Sequence, residues 1–109
     1  MRKITILRKK SIVGCACKVF IYTIDNLNND EDINDIFKDR CTFLGMLKNG
    51  ETLETEITEN SITIIAAYES LGVFMPTDYV NIPAGTEPVA INGKAKLNPS
   101  KGNPFIFID

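Results

Sequence analysis

Hydrophobic and polar residues alternate with a period of two along most of this chain, the spacing of strands rather than helices. "KITILR" (residues 3 to 8) sets Ile4 and Ile6 against Lys3 and Thr5. "CACKVFIYTI" (15 to 24) places Cys15, Cys17, Val19 and Ile21 on one face and Phe20, Tyr22 and Ile24 on the other. Both faces are largely apolar, which predicts a central strand. "CTFLGML" (41 to 47) and "TLETEI" (52 to 57) flank Asn49-Gly50, and "SITIIAAY" (61 to 68) is rich in β-branched residues and again reads as central. "YVNI" (79 to 82), "PVAIN" (88 to 92) and "FIFI" (105 to 108) bring the expected total to about eight short strands. Turn clusters separate them: Glu59-Asn60, Pro83-Ala84-Gly85, Asn92-Gly93 and the loop "NPSKGNP". Short strands punctuated by Gly, Pro and Asn predict an all-β sandwich or barrel. The one helical signal lies in "NDEDINDIFK" (29 to 38), where Ile33, Ile36 and Phe37 fall at helical spacing behind acidic residues suited to a helix start.

Asn49-Gly50 predicts a two-residue hairpin of type I′, because both central residues of that turn need positive φ. Lys48 then faces Glu51, a cross-strand charge pair worth a few tenths of a kcal/mol. The same register pairs Met46 with Leu53, Leu44 with Thr55 and Thr42 with Ile57 on the expected core side. The other face carries Cys41, Phe43, Gly45 and Leu47 against Glu56, Glu54 and Thr52. Two apolar side chains beside two carboxylates do not make a clean solvent face. Either another segment of the chain covers them, or Phe43, Leu47, Glu54 and Glu56 form a surface for a partner.

Composition narrows the chemistry. The chain has 109 residues, the length of a single domain spanning residues 1 to 109. Hydrophobic residues make up 44% and charged residues 24%, which suits a folded protein with its own core. The formal net charge of −2 supplies no global field toward nucleic acid or acidic membranes. Histidine is absent, so Ser-His-Asp and Cys-His nucleophile systems, histidine zinc sites and histidine pH switches cannot be built within one chain. No catalytic constellation is visible, and the expectation is a protein without enzymatic activity or cofactor. Three cysteines, an odd and low count, argue against a disulfide framework and fit a reducing compartment. No apolar run approaches the roughly 20 residues of a transmembrane helix. A soluble, cytoplasmic protein is expected.

Four further clusters carry residues of candidate chemistry. In "DNLNNDEDIND" (25 to 35) the alternating oxygen side chains suggest calcium, with Asp25, Asp30 and Asp32 as ligands. An EF-hand loop needs Gly at position six and Glu at position twelve. From Asp30 those positions hold Asp35 and Cys41, and from Asn28 they hold Ile33 and Asp39. The alternatives are a calcium loop of another type and a solvated connection. Cys15 and Cys17, two apart on one strand face, sit roughly 6.5 Å apart along it. That suits core packing better than a disulfide or, with Cys41, zinc. The basic N-terminus (Arg2, Lys3, Arg8, Lys9, Lys10) lacks the interleaved aromatics of a nucleic-acid reader, and reads as charge protecting an edge strand. "NGKAKLNPSKGNP" (92 to 104) contains Gly-Lys without phosphate-loop spacing.

"PAGTEPVAINGK" (83 to 94) resembles the motif of PEGA domains: a Pro-x-Gly turn, a strand, then Asn-Gly-Lys. "KVFIYTID" followed by "LGMLKNGETLETEITENSITIIAA" resembles the same class of small bacterial sandwiches. "AKLNPS" departs from the motif, with Asn98-Pro99 in place of a second Gly and a Thr-Pro. The resemblance implies an immunoglobulin-like or transthyretin-like antiparallel β-sandwich of seven or eight strands. It also implies a non-catalytic interaction, scaffold or accessory role, with a protein partner or a homodimer. The alternative is a ligand- or calcium-binding sandwich using the loop at 25 to 35.

Overall fold

A computed structural model of the protein describes residues 1–11, 17–25, 41–70, 72–96 and 104–108. Among these residues the period-two segments form eight strands: β1 (Arg2–Arg8), β2 (Val19–Ile24), β3 (Thr42–Leu47), β4 (Thr52–Ile57), β5 (Ile62–Ser70), β6 (Val73–Ile82), β7 (Val89–Ala95) and β8 (Phe105–Phe107). They make two four-stranded sheets, ordered β4-β1-β7-β8 and β3-β2-β5-β6. Every ladder is antiparallel except β1 with β7, which is parallel, so the sandwich is mixed rather than antiparallel throughout. The helical turn expected at 29 to 38 lies outside the described residues. Among the described residues no helix is long and apolar enough to cross a membrane.

One apolar cluster draws on all eight strands, including Ile4 and Ile6 of β1, Ile21 of β2, Leu47 of β3, Ile64 of β5 and Phe105 of β8, each fully buried. Each such aliphatic side chain contributes about 1.5–3 kcal/mol by leaving water. The central placement expected for β2 and β5 is found, with neighbours on both sides.

The expected hairpin does not form. β3 and β4 lie in different sheets, and the turn between them carries the chain across the core. Its local chemistry is a genuine turn: Glu51 N–H donates to Lys48 O at 3.0 Å, and Gly50 has φ +79°. What differs is the pairing. β4 takes β1 as its ladder partner and β3 takes β2. Leu53 therefore meets β3 face to face across the core, its methyls lying over Gly45, where a Cβ would stand 2.7 Å from Leu53 Cδ1. Facing sheets let Leu44, Leu47, Leu53 and Ile57 share one core, which side-by-side pairing would not. Nor do Lys48 and Glu51 form the expected charge pair. The Glu51 carboxylate accepts the Lys48 backbone N–H at 2.7 Å.

β1 is not an edge strand. It sits between β4 and β7, and its core face reads Arg2, Ile4, Ile6, Arg8. Both arginines are buried, at 6% and 1% exposure, and both donate to backbone carbonyls. Arg8 reaches Cys17 O at 2.7 Å and Leu47 O at 2.8 Å, while Arg2 reaches Thr58 O at 3.1 Å and Pro83 O at 2.8 Å. The two cations thus tie the connections at either end of the sandwich to its middle. They do not serve as surface charge guarding an edge. Two smaller expectations also change. Asn92-Gly93 is no turn but lies inside β7, with the Phe105 ring over Gly93. Cys17 is exposed and precedes β2, so it is not a core cysteine, and Cys15 lies outside the described residues.

Candidate functional site

The two sheets present unlike outer faces. On β1 and β4 the outward positions are Lys3, Thr5, Leu7, Thr52, Glu54 and Glu56, and Lys3 Nζ lies 3.5 Å from a Glu54 oxygen. Apart from Leu7, which is exposed at its end, that face is polar and alternates with the core. β2 and β5 instead bury apolar side chains on both faces. Behind the main core lies a second cluster of Ile24, Ile65 and Ala67, with Tyr22, Cys41 and Phe74 packed against it.

Four aromatic rings cap this second cluster. Phe20 and Phe74 meet edge to face at 5.0 Å, Tyr22 and Phe43 at 5.5 Å, and Tyr22 and Phe74 at 5.8 Å. Phe20 and Phe43 lie 6.3 Å apart. These separations fall in the range where aromatic pairs add stability beyond their buried area. Phe20, Tyr22 and Phe74 are half-buried, whereas Phe43 is 55% exposed. Burial, and secondarily the neighbouring Cys41 thiol, pushes the Tyr22 phenol above its ordinary value, so at neutral pH it adds no charge to the patch.

A β-bulge puts Phe43 there. β2 pairs Ile21 with Gly45 but Tyr22 with Phe43, so Leu44 is the extra residue on β3. Strict alternation would give Phe43 and Leu47 one face. The bulge turns Leu44 and Leu47 toward the core and Phe43 toward the outside, leaving Leu47 with no exposure at all. Glu54 and Glu56 project from the opposite sheet. The four residues expected to share a surface are therefore dispersed, and only Phe43 occupies an apolar patch open to water.

β6 supplies Phe74 to that patch from residues that precede the expected strand at 79 to 82. Pro76 inside an apolar run argues against a strand, yet β6 runs ten residues through it. The strand accommodates proline because it is an edge and carries its own bulge: Ala66 pairs with Asp78 and Ala67 with Pro76, leaving Thr77 extra. Phe20 and Tyr22 were legible as a second apolar face. Phe74 was hidden behind the proline.

Asp25 is exposed at the end of β2, and Asp30 and Asp32 lie outside the described residues. No group of three or more potential metal-binding Cys, Asp or Glu side chains occurs among the described residues. Comparisons with protein-family models, with curated proteins and with solved structures find no match.

Proposed function

We propose that this chain is a non-catalytic interaction module that meets a protein partner, or a second copy of itself, through the aromatic face of the β3-β2-β5-β6 sheet. The observation that carries this reading is Phe43, a large apolar side chain more than half in water at the edge of a four-ring cluster. Exposed aromatics over a packed apolar base are the usual anchors of binding surfaces. Contact by strand addition is less well supported. Both edges of this sheet carry a bulge, at Leu44 and at Thr77, and bulged edges resist pairing with another chain.

For the fold type, the strand order supports the transthyretin-like sandwich over the immunoglobulin-like one. An immunoglobulin constant-type sandwich keeps its first two strands in one sheet. Here β1 and β2 fall in different sheets.

The test is Phe43→Glu, compared with the unmodified chain in sedimentation over a wide concentration range and in affinity purification from the native cell. The expected result is association, or capture of a partner, that Phe43→Glu abolishes. A wild-type chain that stays monomeric, with every captured partner retained by Phe43→Glu, would reject the reading.

A further inference from the structure

A second feature lies away from the aromatic face, where β1 begins, β6 ends and the β6–β7 connection crosses between sheets. An open pocket of about 400 Å³ is lined there by Arg2, Ile82, Pro83, Gly85, Glu87 and Val89, among others. Arg2 is 6% exposed, so its charge is almost wholly withdrawn from bulk water. Its Nε donates to Thr58 O at 3.1 Å, and its Nη2 to Asn60 O at 3.4 Å and Pro83 O at 2.8 Å. These are carbonyl dipoles, not a counter-ion. Glu59 is occupied by the N-terminal amine at 3.5 Å, and no carboxylate pairs with Arg2 among the described residues. A guanidinium held by neutral acceptors retains a full charge that an anion would stabilise.

One nitrogen is left over. Nη1 makes no hydrogen bond among the described residues, and none of their fully buried side-chain nitrogens lacks a partner, so Nη1 keeps some contact with solvent. Gly85 leaves it uncovered. A Cβ at that position would stand 3.2 Å from Nη1. Gly85 has no positive φ that would require glycine for the backbone, so space beside Nη1 is what its missing side chain provides. The connection is fixed from behind, Gly85 N–H donating to Glu59 O at 2.9 Å. Around this donor the walls are apolar: Ile82, Pro83, Pro88 and Val89.

We infer that this pocket binds a carboxylate carried on a short branched apolar body, the carboxylate on Arg2 Nη1 and the body against Ile82 and Val89. Glu87, exposed on the lining, sets the electrostatic limit on affinity for such an anion. The site is independent of the aromatic face, so Phe43→Glu leaves it intact, and the two proposals fail separately. Isovalerate is the probe, titrated at constant ionic strength while backbone amide resonances are followed by NMR. Saturable shifts are expected at Ala84, Gly85, Thr86 and Glu87. Isovaleramide, which has the same shape without the charge, should bind at least about tenfold more weakly. Gly85→Ala should weaken isovalerate by a similar factor in a chain whose other resonances are unmoved. Glu87→Gln should tighten it about threefold by removing a like charge at the rim. A peptide ending in valine with a free carboxylate distinguishes two sources. Binding at least tenfold tighter than isovalerate identifies a chain terminus, and equal binding identifies a free small acid. Shifts that do not saturate, that isovaleramide reproduces, or that Gly85→Ala leaves unchanged would overturn the inference.

Discussion

The bulge at Leu44 makes opposite demands on two apolar residues four positions apart, Phe43 and Leu47, and a pair of charge substitutions reads them out. Leu47 has no exposure and sits in the core shared by both sheets, whereas Phe43 is 55% exposed on the outer face. Leu47→Glu removes a buried aliphatic, a loss of about 3 kcal/mol by analogy with core truncations. It also requires a carboxylate to be desolvated or protonated, at several kcal/mol more. The sum rivals the whole stability of a domain this size, on the order of 5–15 kcal/mol. Leu47→Glu is therefore expected to unfold. Phe43→Glu forfeits less than half of one aromatic burial, one edge-to-face contact with Tyr22 and one tilted contact with Phe20, about 1–2 kcal/mol together, and its new carboxylate stays in water. The chain has no tryptophan, so far-ultraviolet circular dichroism in a urea titration is the suitable assay. Phe43→Glu should show a cooperative transition at a lower midpoint with an unchanged slope, and Leu47→Glu no native baseline. Equal losses at the two positions, or a folded Leu47→Glu, would mean that strict alternation holds through β3 and that the bulge is not where the pairing places it.

Gly93→Ala should destabilise by about 1–3 kcal/mol or more through overpacking, because the new Cβ would run into the Phe105 ring and stand 2.9 Å from the Ile106 carbonyl oxygen. In denaturant titrations its cost should fall when Phe105 is first shortened to Leu, a coupling that independent sites would not show. Arg8→Met should cost about 3 kcal/mol by stranding the Cys17 and Leu47 carbonyls, measurable as a lower urea midpoint; a near-neutral result would show that those acceptors find water. Burial raises the Tyr68 phenol above its ordinary value of 10.0, with Arg8 opposing and Cys17 adding to the rise, and burial followed by Cys41 raises Tyr22. A folded value above the unfolded one means stability fully present below pH 10 and lost as pH climbs through the folded values. The thermal midpoint should therefore fall above pH 10, and tyrosinate absorbance should rise at lower pH in urea than in buffer.

What the sequence disclosed was local. Period-two alternation located Ile4, Ile6, Leu53 and Ile57 on inward faces because burial of each is decided by its own strand. The apolar character of both faces of β2 and β5 was readable for the same reason, and it leads to the second cluster beneath the aromatic rings. Decisions between strands were not readable. Asn49-Gly50 supplies the backbone for a tight turn, but the same turn serves a hairpin or a passage between sheets. Competition from β1 and β2 for the ladders decides which forms. A bulge shifts every later side chain of its strand to the other face without any mark in the residue types. Pro76 and Gly93 are both residues that weaken a strand in isolation. Each is tolerated where its tertiary setting supplies a reason, an edge bulge for the one and the Phe105 ring for the other. Arg2 and Arg8 misled for a related reason: charge density predicted surface, whereas their donor-rich forks satisfy carbonyls at the two ends of a buried face.

Had β3 and β4 formed a hairpin in register, Phe43 would have shared a face with Leu47 and both would have been candidates for cover by the chain itself. Once the bulge sends Leu47 inward, Phe43 is left on the outer face against the rings of Phe20 and Tyr22 from the neighbouring strand. The same two bulges that create this face also disturb the edge strands of its sheet among the described residues, at Leu44 and at Thr77. An edge that is bent and interrupted is a poor template for another strand. A face that keeps an aromatic side chain in water is a standing cost to solubility unless something binds there. On the opposite sheet, β1 and β4 build a mostly polar exterior, with Lys3 set beside Glu54 and Leu7 as its exposed apolar side chain. The contrast between the two outer faces, rather than any single residue type, is what directs the search for a partner to the β3-β2-β5-β6 sheet.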